Sequence, residues 1–141
     1  MASNKKPRKR HIRRDIGLPM TIRHSADADF QMQLTPHAEL LKLREGLADE
    51  GAWHTIVCRL NVGSVLAFQN NMPEIHSIMR KALDCMIAVR DRFQRVNKWG
   101  ISGEELKIIG DSVTIVDDLQ LQLTRRQFSN ALNYVYNHAA Y

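Results

Sequence analysis

The chain has 141 residues, 44% hydrophobic and 25% charged, with only 7 Gly and 4 Pro, which suits one folded domain and excludes an extended low-complexity body. Its 20 Lys and Arg outweigh 15 Asp and Glu for a formal net charge of +5. No run of about 18 uncharged apolar residues exists to span a membrane, because the most apolar stretch, Ala52 to Gln69, is interrupted by His54, Arg59, Asn61 and Ser64.

The positive charge is not spread along the chain. Lys5, Lys6, Arg8, Lys9, Arg10, Arg13 and Arg14 fall in the first fourteen residues with no acid among them. Removing those seven leaves 13 cations against 15 acids, a net charge of −2 over the other 127 residues. Residues 1–14 have the composition of a disordered basic arm, since mutually repelling cations with almost no aliphatic partners cannot bury a core. No apolar segment or small-residue cleavage site follows the cations, so the segment does not read as a secretory signal, and the expected location is the cytoplasm. Residues 15–34 alternate short apolar pieces with Gly17, Pro19 and a Ser-Ala-Asp-Ala-Asp stretch, the pattern of an extended irregular segment.

From Thr35 onward the signals are helical, and residues 35–141 read as a single helical domain. Thr35 followed by Pro36 predicts a helix start, with Leu40, Leu41, Leu43 and Leu47 at helical spacing up to about residue 49. A second helix over about 52–69 has one charged residue, Arg59, and an apolar surface around most of its circumference, which makes it the central element. Asn71, Pro73 and Glu74 predict the start of a third helix, capped by Asn71 and ended by Gly100. Its Ile75, Ile78, Met79, Ala82, Cys85, Met86, Val89, Phe93 and Val96 share one side. Ser102 with Glu105 forms a capping box for a fourth helix ending near Leu123, with Leu106, Ile109, Val113, Val116, Leu119 and Leu123 facing inward. Thr124 with Gln127 repeats the box for a fifth, polar enough to be peripheral, whose Phe128, Ala131, Leu132 and Val135 face the core. The expected fold is all-α, an antiparallel bundle of four to five helices.

Two groups of cations are candidate nucleic-acid contacts. The seven in the arm, with Arg23 nearby, suit sequence-independent neutralisation of phosphates, and no aromatic residue is interleaved to stack on bases. The second group is Arg80, Lys81, Arg92, Arg95 and Lys98, which project onto one side of the third helix; Glu74, Asp84 and Asp91 share that side and leave it net +2.

Other features argue against chemistry. Glu104, Asp111 and Asp118 recur every seven residues, but successive members lie about 10 Å apart along a helix, too far to grip one ion together. Asp117 and Asp118 point about 100° apart and do not converge. The histidines lack metal-ligand spacing, and Cys58 and Cys85 lie among apolar residues as reduced core thiols without an activating context. Thr124-Arg125-Arg126-Gln127 puts two arginines at a helix start, yet reads first as a capping box. The expectation is therefore a non-enzymatic protein without cofactor or metal.

Leu18-Pro19-Met20 after the basic N-terminus, and Lys98-Trp99-Gly100-Ile101-Ser102-Gly103-Glu104-Glu105-Leu106 leading into a helix, resemble parts of small, mostly uncharacterised helical accessory proteins of bacteriophages and other mobile elements. The resemblance implies a bacterial cytoplasmic setting, with nucleic acid or host proteins as partners, and brings no catalytic or ligand residues with it. Two readings follow. In the first, the arm binds the phosphate backbone with little sequence preference while the bundle dimerises or holds a second partner. In the second, the protein regulates or inhibits a host enzyme or defence complex. There the arm would steer it onto an acidic surface, and Trp99, Tyr134, Tyr136 and Tyr141 would be the anchors.

Overall fold

A computed structural model describes residues 26–138, and these form five α-helices and no strand. They are α1 (Ala26–Glu45), α2 (Glu50–Gln69), α3 (Pro73–Val96), α4 (Gly103–Gln122) and α5 (Arg125–His138). The basic arm with its seven cations and Arg23 lies outside the described residues.

Helix α2 packs against all four others, as its nearly continuous apolar circumference requires. Two clusters meet along it. The larger joins Leu40 and Leu43 of α1, Trp53, Ile56, Val57 and Leu60 of α2, Met79 to Val89 of α3, and Ile109, Val113 and Val116 of α4. The smaller joins Val62 and Leu66 of α2, Leu119 of α4, and Phe128, Ala131, Leu132 and Val135 of α5. Between them α2 carries Gly63, where a Cβ would lie 2.5 Å from Val116 Cγ2 and 2.8 Å from Met79 Sδ. The missing side chain is what lets three helices approach there.

The ends of the helices show how local sequence sets the connections. At the end of α1, Gly46 adopts φ +76°, Leu47 N–H donates to Lys42 O at 2.8 Å and Gly46 N–H to Leu43 O at 3.3 Å, a Schellman closure. Helix α2 ends the same way with Asn71 at φ 58°, Met72 N–H donating to Ala67 O and Asn71 N–H to Phe68 O. Asn71 therefore closes α2 rather than capping α3, whose N-cap is Met72, with no side-chain cap bond and with Pro73 as the first helical residue. Both expected capping boxes are present, Ser102 with Glu105 opening α4 and Thr124 with Gln127 opening α5.

Helix α1 departs most from the sequence reading. It begins at Ala26, so residues 26–34 are helical rather than part of an extended segment, and Pro36 sits inside the helix instead of opening it. Pro36 removes one internal hydrogen bond. Packing compensates on both sides of it, since Pro36 is buried and Met32, one turn earlier, packs against the smaller cluster. At the other end the helix stops at Glu45, short of residue 49, and Leu47 is 75% exposed.

Candidate nucleic-acid interface

Helix α3 presents its cations unevenly. Arg80, Lys81, Arg95 and Lys98 are exposed, but Arg80 and Arg95 are fifteen positions apart, about 22 Å on a helical rise, and Lys98 lies past the end of α3, where Asn97 turns left-handed at φ 58°, so the expected single face of one helix is two separate groups. Arg92 is engaged within the bundle. Its guanidinium grips Glu105 of α4 with two bonds of 3.2 and 2.9 Å and donates to Gly100 O at 3.0 Å. The pairing raises the Arg92 pKa and holds the Glu105 carboxyl below its usual value, with the Ser102 backbone N–H acting in the same direction. Arg92 thus fastens the loop between α3 and α4, a structural role that its place in the helical projection does not show.

Arg90, absent from that cation group, occupies a more telling position. Its guanidinium carbon lies 5.2 Å from the centroid of the Trp53 ring, and its Nε is buried without a hydrogen-bond partner. Trp53 is itself held in place, donating its indole N–H to Met86 O at 2.8 Å. Two clefts open on either side of this pair. One, about 270 Å³, lies between the start of α2 and the end of α3 and is lined by Glu50, Trp53, His54, Arg90, Phe93, Gln94 and Trp99. The other, about 260 Å³, continues between the same helices towards Asn61, Arg80, Asp84 and Ile87. The first is walled by flat rings, for Trp99 stacks on Phe93 with centroids 4.1 Å apart and planes 8° from parallel.

A second cationic node lies where α2, α4 and α5 meet. Arg59, the lone charge in the apolar run, is 4% exposed and donates through Nη2 to Asp117 Oδ1 at 2.8 Å and to Gln120 Oε1 at 2.7 Å. Its guanidinium also stands 5.7 Å from the Phe128 centroid. Asp117 accepts on its other oxygen from His37 Nε2 of α1 at 2.7 Å, so one carboxylate ties three helices together. Burial lowers the Arg59 pKa against the pull of Asp117. Nε and Nη1 of Arg59 have no partner among the described residues.

The remaining candidates resolve into structural roles. Of the acidic stripe, Asp111 pairs with Lys107 at 3.0 Å along the exposed side of α4, while the α3 cation reaches Glu105, outside the stripe. Gln127 accepts from Thr124 and donates through Nε2 to Asn70 Oδ1 at 2.7 Å, which fastens α5 to the end of α2 and leaves little of its amide for a base edge. Cys58 and Cys85 are free thiols at the margins of the clusters, each with its pKa pushed up by burial first and, for Cys85, by Glu105 and other carboxylates as well. Tyr134 stacks on His138, Tyr136 is exposed, and Tyr141 lies outside the described residues. Among the described residues no group of three or more His, Cys, Asp or Glu side chains is placed to hold a metal, and no helix is long and apolar enough to cross a membrane.

No protein-family model matches the chain, and no curated protein or solved structure matches it either.

Proposed function

We propose that this is a non-enzymatic nucleic-acid-binding protein, an accessory protein of the bacteriophage or mobile-element kind acting in the bacterial cytoplasm. Lys5, Lys6, Arg8, Lys9, Arg10, Arg13 and Arg14 neutralise backbone phosphates with little sequence preference. Arg23, the exposed α3 cations Arg80, Lys81 and Arg95, and Lys98 just past the end of α3 add contacts from the neighbouring segment and the bundle. The observation that carries the reading is the separation of charge: seven cations without an acid in fourteen residues, on a chain whose remainder is net −2. A chain that needed charge only for solubility would not require it gathered at one end. Gathered, it raises the local density of phosphate partners and releases counterions on binding.

Binding of the intact chain and of a version lacking residues 1–14 to duplex and single-stranded DNA and RNA, across a salt series, tests this. The intact chain should lose affinity steeply with salt, and the deletion should flatten the slope of log K against log salt by up to about 6, at 0.9 per phosphate contact on duplex DNA. Equal slopes for the two would remove the arm from the interface.

The competing reading is a regulator that docks on an acidic host protein, and exposed Tyr134 and Tyr136 on α5 favour it. It predicts recovery of one protein partner that survives nuclease treatment and no salt-sensitive binding to any nucleic acid.

A further inference from the structure

We propose that the cleft between the start of α2 and the end of α3 receives one unpaired nucleobase, so that the protein prefers single strands; this rests on the nucleic-acid reading above. The cleft's size comes first. At about 270 Å³ it is smaller than the pockets of about 300 Å³ and upward that take drug-sized molecules, and it suits a single planar ring system.

Its chemistry narrows the ligand further. Phe93 and Trp99 form a parallel stacked pair at 4.1 Å, a platform that a third flat ring can extend. Glu50 and Gln94 add acceptors and a donor to the same lining, and Arg90 adds the guanidinium that stands over Trp53. Glu50, which pairs with His54 at 3.5 Å, stands in the same lining as Arg90, so the cleft carries charge of both signs, which disfavours a bare phosphate or an acidic side chain as occupant. A nucleobase is neutral, flat and edged with both donors and acceptors, and it satisfies every part of that lining. The strand's phosphates remain outside, where exposed Arg95 and Lys98 flank Gln94 and Trp99 in sequence. This arrangement supplies the aromatic surface that the arm lacks.

The chain has two tryptophans, and both line this cleft, with Trp53 shared with the neighbouring one, so tryptophan emission reports on the site. The full chain is titrated with a short oligothymidylate, an abasic strand of the same length, and a duplex, following tryptophan emission and the anisotropy of labelled strands. Oligothymidylate should change the emission and bind at least about 5-fold more tightly than the abasic strand, the lower bound for one base stacked on an aromatic side chain. Trp99→Leu should abolish that difference while leaving the salt-dependent affinity for both strands in place. If Trp99→Leu loses its helical circular dichroism, Arg90→Gln at the cleft wall gives the same readout. Equal affinities for the base-bearing and abasic strands without an emission change would overturn the pocket and leave phosphate binding standing. Failure of every strand to bind would overturn both.

Discussion

Arg59 and Arg90 place the same side chain in two settings within one bundle. Each guanidinium stands over an aromatic ring, 5.7 Å from Phe128 and 5.2 Å from Trp53 respectively, and each keeps a buried Nε without a partner. The surroundings separate them. Arg59 is sealed at 4% exposure, with Asp117, Gln120 and, through Asp117, His37 drawn from two other helices to satisfy it. Arg90 is only half-buried, in the wall between two clefts, and no carboxylate of the described residues pairs with it. A buried cation surrounded by its own partners is committed to the fold, because removing any partner exposes its desolvation cost. A half-open cation over a ring keeps its remaining donors for something that arrives from outside.

The comparison breaks first at Asp117. Asp117→Asn leaves the Arg59 charge sealed among neutral groups, and the expected loss is about 3 kcal/mol of unfolding free energy, read from urea denaturation. Arg59→Met removes the charge while keeping most of the volume, and its cost should be smaller, about 1 to 2 kcal/mol. If Asp117→Asn were no worse than Arg59→Met, the node would not be held by the ion pair.

An intermediate effect belongs to Glu105, whose pair with Arg92 is partly open to solvent. Its folded-state pKa is lowered by Arg92 first, with the Ser102 N–H acting in the same direction, from an ordinary value of 4.5. Because the folded value is the lower one, the stabilisation is fully present above the unfolded value and disappears as pH falls from there through the folded one. Glu105→Gln keeps an acceptor for the capping box and removes only the charge. It should cost about 1 kcal/mol near neutral pH, with the gap between the two proteins closing as unfolding is followed down to acidic pH. A gap independent of pH would mean that the ion pair contributes nothing.

These positions also mark where the sequence was legible. The boxes Ser102 with Glu105 and Thr124 with Gln127 are local, both partners within one turn, so the starts of α4 and α5 could be read directly. The inward faces of α4 and α5 follow from their periodicity in the same way. Asn71 misled because one residue type serves two purposes: its side chain can cap a helix start, and its backbone tolerates the left-handed conformation that closes α2. Pro36 misled because burial on either side of it outweighs one lost hydrogen bond. The engagement of Arg92 depends on Glu105 in another helix, which no projection of α3 reveals. Arg59 did carry a signal as the single charge in an apolar run, since such a charge needs partners, but the sequence does not say that Asp117 and Gln120 supply them. Arg90 projects beyond the arc of the other α3 cations, so helical projection does not group it with them, although its position beside Trp53 is what gives the cleft its cation.

The smallest stability effect is expected at the wall of the proposed base cleft. Arg90→Gln removes a cation–π contact with a partly exposed guanidinium and leaves Trp53 anchored by its own bond to Met86 O. Its cost in urea denaturation should be about 0.5 to 1 kcal/mol, the range for such contacts at accessible sites. That is several-fold less than for Asp117→Asn, although both changes disturb a guanidinium held over a ring. A loss as large as that at the Arg59 node would make Arg90 a second structural cation, its charge already used within the bundle. A small loss leaves the guanidinium's remaining donors available to a ligand, because a protein that holds a cation half-open at little benefit to its own stability can transfer that cation's interactions to a ligand without unfolding.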